Sequence, residues 1–205
     1  MSSDNIKNVV FDIGNVVVRW APLEIIRLTF GEKNSLEELA KSIFQSEIWL
    51  SLNKGQITES DARAQYQETI GLTELECERL FYYVKQTQIL IYGSVDLIKR
   101  CKSAGYNVLA LTDNVHEIVS HLKAHYTFWD LFDGATVSAE VGLLKPQPEI
   151  YRSLLSQHDL QASETVFIDD MSYNVKGAEA VGMSAIQFES AAQCEQALKS
   201  LGVEL

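Results

Sequence analysis

A chain of 205 residues, 46% hydrophobic and 22% charged, can bury a sizeable core and is neither a disordered polymer nor a collagen-like repeat. Its formal net charge of -11 excludes the basic surface that phosphate-backbone binding needs, so no nucleic-acid partner is expected. Three cysteines (Cys77, Cys101, Cys194) without metal-ligand spacing, no apolar run near about 18 residues and no secretory-leader pattern at 1–5 predict reduced thiols, a cytoplasmic location and no membrane contact.

In chain order, Lys7 to Phe11 reads as a strand whose apolar run Val9-Val10-Phe11 ends in Asp12, followed by Gly14-Asn15-Val16-Val17. From about Pro22 to Gln88 the periodicity is helical only, with Leu36, Leu39, Ile43 and Phe44 on one face. Asn53-Lys54-Gly55-Gln56 is a turn, Thr58 opens a helix with Asp61 three residues on, and Thr73 opens an acidic helix start. The rhythm then changes. Val95 to Ala104 is an amphipathic helix ended by Gly105, Asn107 to Leu111 a buried strand, Val115 to Ala124 a helix and Gly134 to Val137 a short strand. Pro148 to Ser156 is a helix, Thr165 to Ile168 a strand, Val175 to Val181 a helix and Ser184 to Phe188 a last strand. Alternating strands and helices imply a parallel sheet covered on both faces. The expected fold is therefore α/β, a Rossmann-like core at 1–18 and 90–205 with an all-helical insertion at 19–89 after strand one.

The strand ends carry the chemistry. Ligands of open α/β sheets bind at the carboxyl edge, and a carboxylate there needs a cation or partner. Asp12 ends the first strand. The second leads into Thr112-Asp113-Asn114, a hydroxyl followed by backbone N–H groups at a helix start, which makes a small anion cradle. Lys145, in the turn Gly142-Leu143-Leu144-Lys145-Pro146-Gln147-Pro148, brings a point charge suited to phosphate. The fourth strand ends in Asp169-Asp170, two neighbouring carboxylates that repel unless a cation sits between them; oxygen donors suit Mg²⁺. Each piece alone also fits a structural role, such as a turn Asp, a helix N-cap or a solvated lysine. Converging in order on one sheet edge, they point to a site.

These motifs resemble those of the haloacid dehalogenase superfamily, the Asp-nucleophile phosphatases. The match runs through Phe-Asp12-x-Gly-Asn-Val-Val, Leu-Thr112-Asp-Asn, Gly-x-x-Lys145-Pro-x-Pro-x-Ile-Tyr151, and Phe-Ile-Asp169-Asp170 followed by Asn174-Val and Ala-x-x-x-Gly182-Met183. Within it, the Asp-x-Gly-Asn-Val start is similar to the bacterial α-D-glucose-1-phosphate phosphatase group. The resemblance implies a helical cap after strand one and two-step phosphoryl transfer with Mg²⁺. It implies Asp12 as nucleophile, Thr112, the N–H of Asp113 and Lys145 on the phosphoryl oxygens, and Asp12, the Gly14 carbonyl and Asp170 on Mg²⁺. Asp169 is implied to orient a metal-bound water or Lys145 from behind. The expected substrate is a small phosphorylated metabolite, a sugar phosphate or an anomeric sugar 1-phosphate, handled by a monomer or homodimer.

One position departs from the family pattern. Two residues after the nucleophile the family usually carries an Asp that acts as general acid and base, and here it is Gly14. The metal ligand at that position is a main-chain carbonyl, so it survives; proton donation does not, and it is typically worth about 10²–10⁴-fold. Asp113 and Asp169 are possible stand-ins. Two alternatives follow: an L-2-haloacid dehalogenase, disfavoured by Asp169-Asp170, and a non-catalytic binder of phosphate compounds, motivated by Gly14. His121 and His125 at i, i+4 find no third ligand for Zn²⁺, and His116 reads as a surface residue. Trp20, Trp49 and Trp129 read as packing residues, and Lys54 as a substrate contact from the insertion.

Overall fold

Five short strands pair in parallel in the order β3-β2-β1-β4-β5: β1 (Asn8–Phe11), β2 (Asn107–Thr112), β3 (Gly134–Val137), β4 (Thr165–Asp169) and β5 (Ser184–Gln187). The computed structural model describes residues 6–32 and 35–205; the leader expectation, at 1–5, lies outside the described residues. Period-two alternation sends Val9, Phe11, Val108, Ala110, Val166 and Ile168 to one face, in the larger core, and Val10, Leu109, Leu111 and Phe167 to the other. Both faces are covered, which is why β1 and β4 are buried along their whole length. In chain order the helices are α1 (Pro22–Phe30), α2 (Leu36–Phe44), α3 (Glu47–Asn53), α4 (Glu59–Ile70), α5 (Glu74–Gln86), α6 (Ser94–Ser103), α7 (His116–His125), α8 (Ser138–Val141), α9 (Pro148–Gln157), α10 (Ser172–Ala180) and α11 (Ala191–Ser200).

The chain runs outward through β2 and β3, then crosses back to place β4 on the other side of β1. That reversal opens a crevice at the carboxyl edge beside β1. Register does the rest. Phe11 pairs with Ile168, and the Asp12 N–H donates to the Ile168 carbonyl at 2.8 Å, so Asp12 and Asp169 come side by side.

Helices α1 to α5 fill the segment between β1 and α6 and lie over this edge. Two strands of chain tie them to the core: the Arg19 N–H donates to the Ile89 carbonyl at 2.9 Å and the Ile91 N–H to the Val17 carbonyl at 2.8 Å. Capping boxes at Thr58/Asp61 and Thr73/Glu76 start α4 and α5, satisfying N–H groups that a helix start leaves free. The helical segment also rests on the core directly. Ser138 donates its hydroxyl to the Asn53 carbonyl at 2.7 Å, and a Cβ on Gly55 would lie 2.1 Å from the Ala139 carbonyl oxygen. No side chain fits at 55.

Most element edges shift by a residue or so from the sequence expectation, and two differences are larger. α10 starts at Ser172, not Val175, because the strand-end carboxylate of Asp169 accepts the Met171 N–H at 2.8 Å and begins the turn early. α11 was not anticipated; its mixed Ala/Gln/Glu/Lys sequence has weak patterning, but Ser190 caps it and Cys194 and Leu198 are buried. No helix among the described residues is long and apolar enough to cross a membrane.

Candidate active site

The strand ends deliver a tight polar cluster. Lys145 Nζ lies 2.8 Å from Asp12 Oδ1 and 2.7 Å from Asp169 Oδ2, with all three residues buried. The turn that aims Lys145 is held from two sides. The Asp113 carboxylate accepts the Lys145 N–H at 3.1 and 3.2 Å. Across it, Tyr151 donates its hydroxyl to the Asn174 carbonyl at 2.9 Å, and α10 approaches so closely that a Cβ on Gly177 would sit 2.8 Å from the Tyr151 hydroxyl and 3.0 Å from Pro146.

Asp169 and Asp170 are neighbours with different surroundings. Asp169 is fully buried, and its oxygens accept from Met171 N–H at 2.8 Å, twice from Asn174 Nδ2 at 3.0 Å and from Lys145 at 2.7 Å. Asp170 is half-buried, borders the cavity and accepts from Asn15 Nδ2 at 3.2 Å. Asn15 in turn accepts the Trp20 N–H at 2.9 Å from a left-handed backbone, φ 53°, which Asn tolerates better than most side chains.

Four carboxylates, Asp12, Asp113, Asp169 and Asp170, gather round one lysine. Burial pushes the Asp12 carboxyl up to about 8, with Lys145 opposing and Asp169 adding to the shift. Burial also raises Asp113, and it raises Asp170 together with the charge of Asp169. Burial works against the charge on Lys145, yet Asp12, Asp169 and Asp113 overcome it and hold the ammonium protonated. A second cation would relieve this excess of negative charge. Oxygens of Asp12, Asp169 and Asp170 lie within 4.8 Å of one another, an all-oxygen set suited to a hard divalent ion. Donors already occupy Asp169, whereas Asp12, Gly14 and Asp170 border the cavity.

A cavity of about 620 Å³ rises from this floor towards the helical segment. Trp20 and Trp49 stack with centroids 5.7 Å apart, and Phe44 meets both edge-on at 5.1 and 5.0 Å; all three line the cavity. Of the residues expected at the site, Asp12, Gly14, Asp113, Lys145 and Asp170 line the cavity, and Asp169 lies behind Lys145. Thr112 is buried at the end of β2, with Asp113 and Asn114 forming the wall. Lys54 lies off the lining, where its neighbour Asn53 sits instead. Trp129 packs on Phe128 and Phe132, as expected of a packing residue. Trp20 and Trp49 pack too, but their faces also form the wall. Sequence reasoning missed Asn15, Asn174, Phe44 and Gln88. The first two stand inside the motifs, whereas the helical pattern marks Phe44 only as apolar.

Residues 6–182 match the family model of the haloacid dehalogenase-like hydrolases. The chain is 32% identical over 197 residues to a sesquiterpene phosphatase of Aspergillus oryzae, covering 96% of this chain and 97% of that protein. It is 28% identical over 206 residues to a D-ribitol-5-phosphate phosphatase of Bacteroides thetaiotaomicron, covering 94% and 97%. A solved HAD family enzyme from the same Bacteroides, in complex with magnesium and inorganic phosphate, superposes with a TM-score of 0.75 over 91% of this chain and 96% of that one. At 22% identity that likeness is one of fold.

Proposed function

The chain belongs to the haloacid dehalogenase-like hydrolases, with phosphatase relatives along nearly its whole length, and we propose that it is a Mg²⁺-dependent phosphatase of small phosphate monoesters acting through Asp12. The observation that carries this is the Asp12–Lys145–Asp169 chain at the cavity floor, with contacts of 2.8 and 2.7 Å. Asp12 attacks phosphorus in line; the new P–O bond forms an aspartyl-phosphate as the ester P–O bond breaks and the alkoxide leaves. Water then attacks the same phosphorus and frees the Asp12 carboxylate and inorganic phosphate. Lys145, fixed between Asp12 and Asp169, donates to the oxygens of the transferring group, and a preset charge of this kind is usually the main catalytic contribution in phosphoryl transfer. Thr112 and the Asp113 N–H complete the phosphoryl cradle at the end of β2. Asp12, Asp170 and the Gly14 carbonyl would hold Mg²⁺. When bound, Mg²⁺ supplies positive charge against the phosphoryl oxygens and the surplus carboxylates.

Gly14 shapes the substrate range. Without a side-chain acid there, a leaving oxygen that is already stabilised needs the least help, that of an anomeric sugar 1-phosphate among them. The same position motivates a second reading, binding without turnover. Phosphate release from p-nitrophenyl phosphate decides between them. Mg²⁺-dependent release that chelator and Asp12→Asn each abolish is expected. Equal release with chelator would overturn the metal assignment, and no release with intact phosphate binding would favour the binder.

A further inference from the structure

Above its polar floor the cavity changes character. Trp20, Phe44 and Trp49 form a continuous three-ring wall, and Ile118 extends it from the core side. Two buried polar residues beside the rings have partners, while the exposed side chains of Glu37, Lys41 and Gln45 also line the cavity. Asn53 donates its amide to the Trp49 carbonyl at 2.8 Å, and the Asn114 side-chain oxygen accepts the Val115 N–H at 3.0 Å. Gln88 is 5% exposed and lines the cavity as well. A polyol would lay hydroxyls against the rings, and each one left unpaired there weakens binding by about 5- to 150-fold.

We propose that this wall receives the leaving group, and that the substrate is the phosphate monoester of a largely hydrocarbon alcohol. The inference rests on the phosphatase reading of the same site and narrows it away from sugar phosphates. The reaction balances with water alone: the P–O bond to the alcohol breaks, the water oxygen ends on phosphorus and a water proton on the alcohol. Chain length, not leaving-group acidity, then becomes the main variable among simple esters. Each methylene laid against the rings leaves water, and the bond that breaks stays the same.

Straight-chain alkyl phosphates from two to ten carbons, kept below their micellar concentrations, test this because their leaving-group acidities are nearly equal. Glycerol phosphate, glucose 1-phosphate and p-nitrophenyl phosphate complete the panel, all assayed with Mg²⁺. The expected result is a rise in kcat/KM of about threefold to fourfold per methylene until the cavity fills, with the longer esters ahead of both polyol phosphates. Trp20→Ala, at a half-buried position, should flatten the slope; Phe44→Ala is the second variant should the first fail to fold, and the wild-type series decides the matter without either. A flat wild-type series, or glucose 1-phosphate ahead of the longer esters, overturns the inference while leaving the phosphatase reading intact if p-nitrophenyl phosphate is still hydrolysed through Asp12. No hydrolysis of any ester overturns both.

Discussion

The floor and the wall of one cavity are built by opposite means. The floor is a set of buried charges joined at hydrogen-bonding distance: Lys145 to Asp12 and Asp169, Asp169 to Asn174 and the Met171 N–H, Asp170 to Asn15. The wall is three aromatic rings from three places in the helical segment, held by their faces and edges. Charged contacts in a dry site depend steeply on position and on every partner being present. Aromatic walls depend on area and tolerate a change of guest. One fold can thus keep a fixed phosphoryl chemistry while the alcohol it releases is chosen separately.

That separation breaks first under Asp12→Asn. The amide is close in shape and Lys145 keeps Asp169 at 2.7 Å, so the fold should survive. Turnover of every ester should fall together, on the order of 10⁴-fold or more, as expected when a nucleophile is removed. Unequal losses along a series of esters would mean that floor and wall are coupled. A purified variant with a substantial share of wild-type phosphate release would remove Asp12 from the reaction.

The adjacent carboxylates sharpen the comparison within the floor. In Asp169→Asn the new amide would turn N–H groups towards donors from Met171 and Asn174, and the buried Lys145 would lose one charge partner. Breaking a buried pair in this way costs about 3–5 kcal/mol, readable in a urea unfolding curve. Asp170→Asn sits half-buried with a single 3.2 Å contact to Asn15 and should unfold much as the wild type does. Its effect belongs to the metal: Mg²⁺ affinity, followed by calorimetry, should drop by at least about 10–100-fold, the loss that even an outer partner of a ligand brings. Similar unfolding curves for the two variants, or a larger metal defect in Asp169→Asn, would reverse their roles.

The same contrast explains what the sequence disclosed. Strand-end residues are local facts: an apolar run of β-branched and aromatic residues followed by Asp12, or by Asp169-Asp170, places a carboxylate on the sheet edge whatever the rest of the chain does. Parallel register then brings them together. The wall is a long-range fact. Trp20 precedes α1, Phe44 ends α2 and Trp49 lies in α3, and nothing in their spacing says that three rings meet over Asp12. A packing tryptophan and a cavity tryptophan have the same local pattern, because both read in the sequence only as large apolar residues.

The smallest expected effect concerns the seam between the two regions. Gly14 stands on the floor beside the wall, and a Cβ built there meets only the Cβ of Trp20 at 3.9 Å, an ordinary contact. Its φ lies outside the left-handed region, unlike that of Asn15, so a side chain at 14 introduces no backbone strain. Gly14→Asp should therefore fold, with a melting temperature within a few degrees of the wild type, and it sets a carboxyl where the leaving oxygen departs. If proton donation is what the site lacks, alkyl phosphates should gain up to about 10²-fold in kcat, the lower end of what a general acid contributes. An aryl phosphate, whose leaving oxygen needs no proton, should gain almost nothing. The slope of rate against leaving-group pKa should flatten accordingly, while the dependence on alkyl chain length, set by the wall, should stay as it was. A wild-type slope that is already flat would assign the proton to another group, with Asp113, half-buried beside Lys145 and raised by burial, as the first to replace.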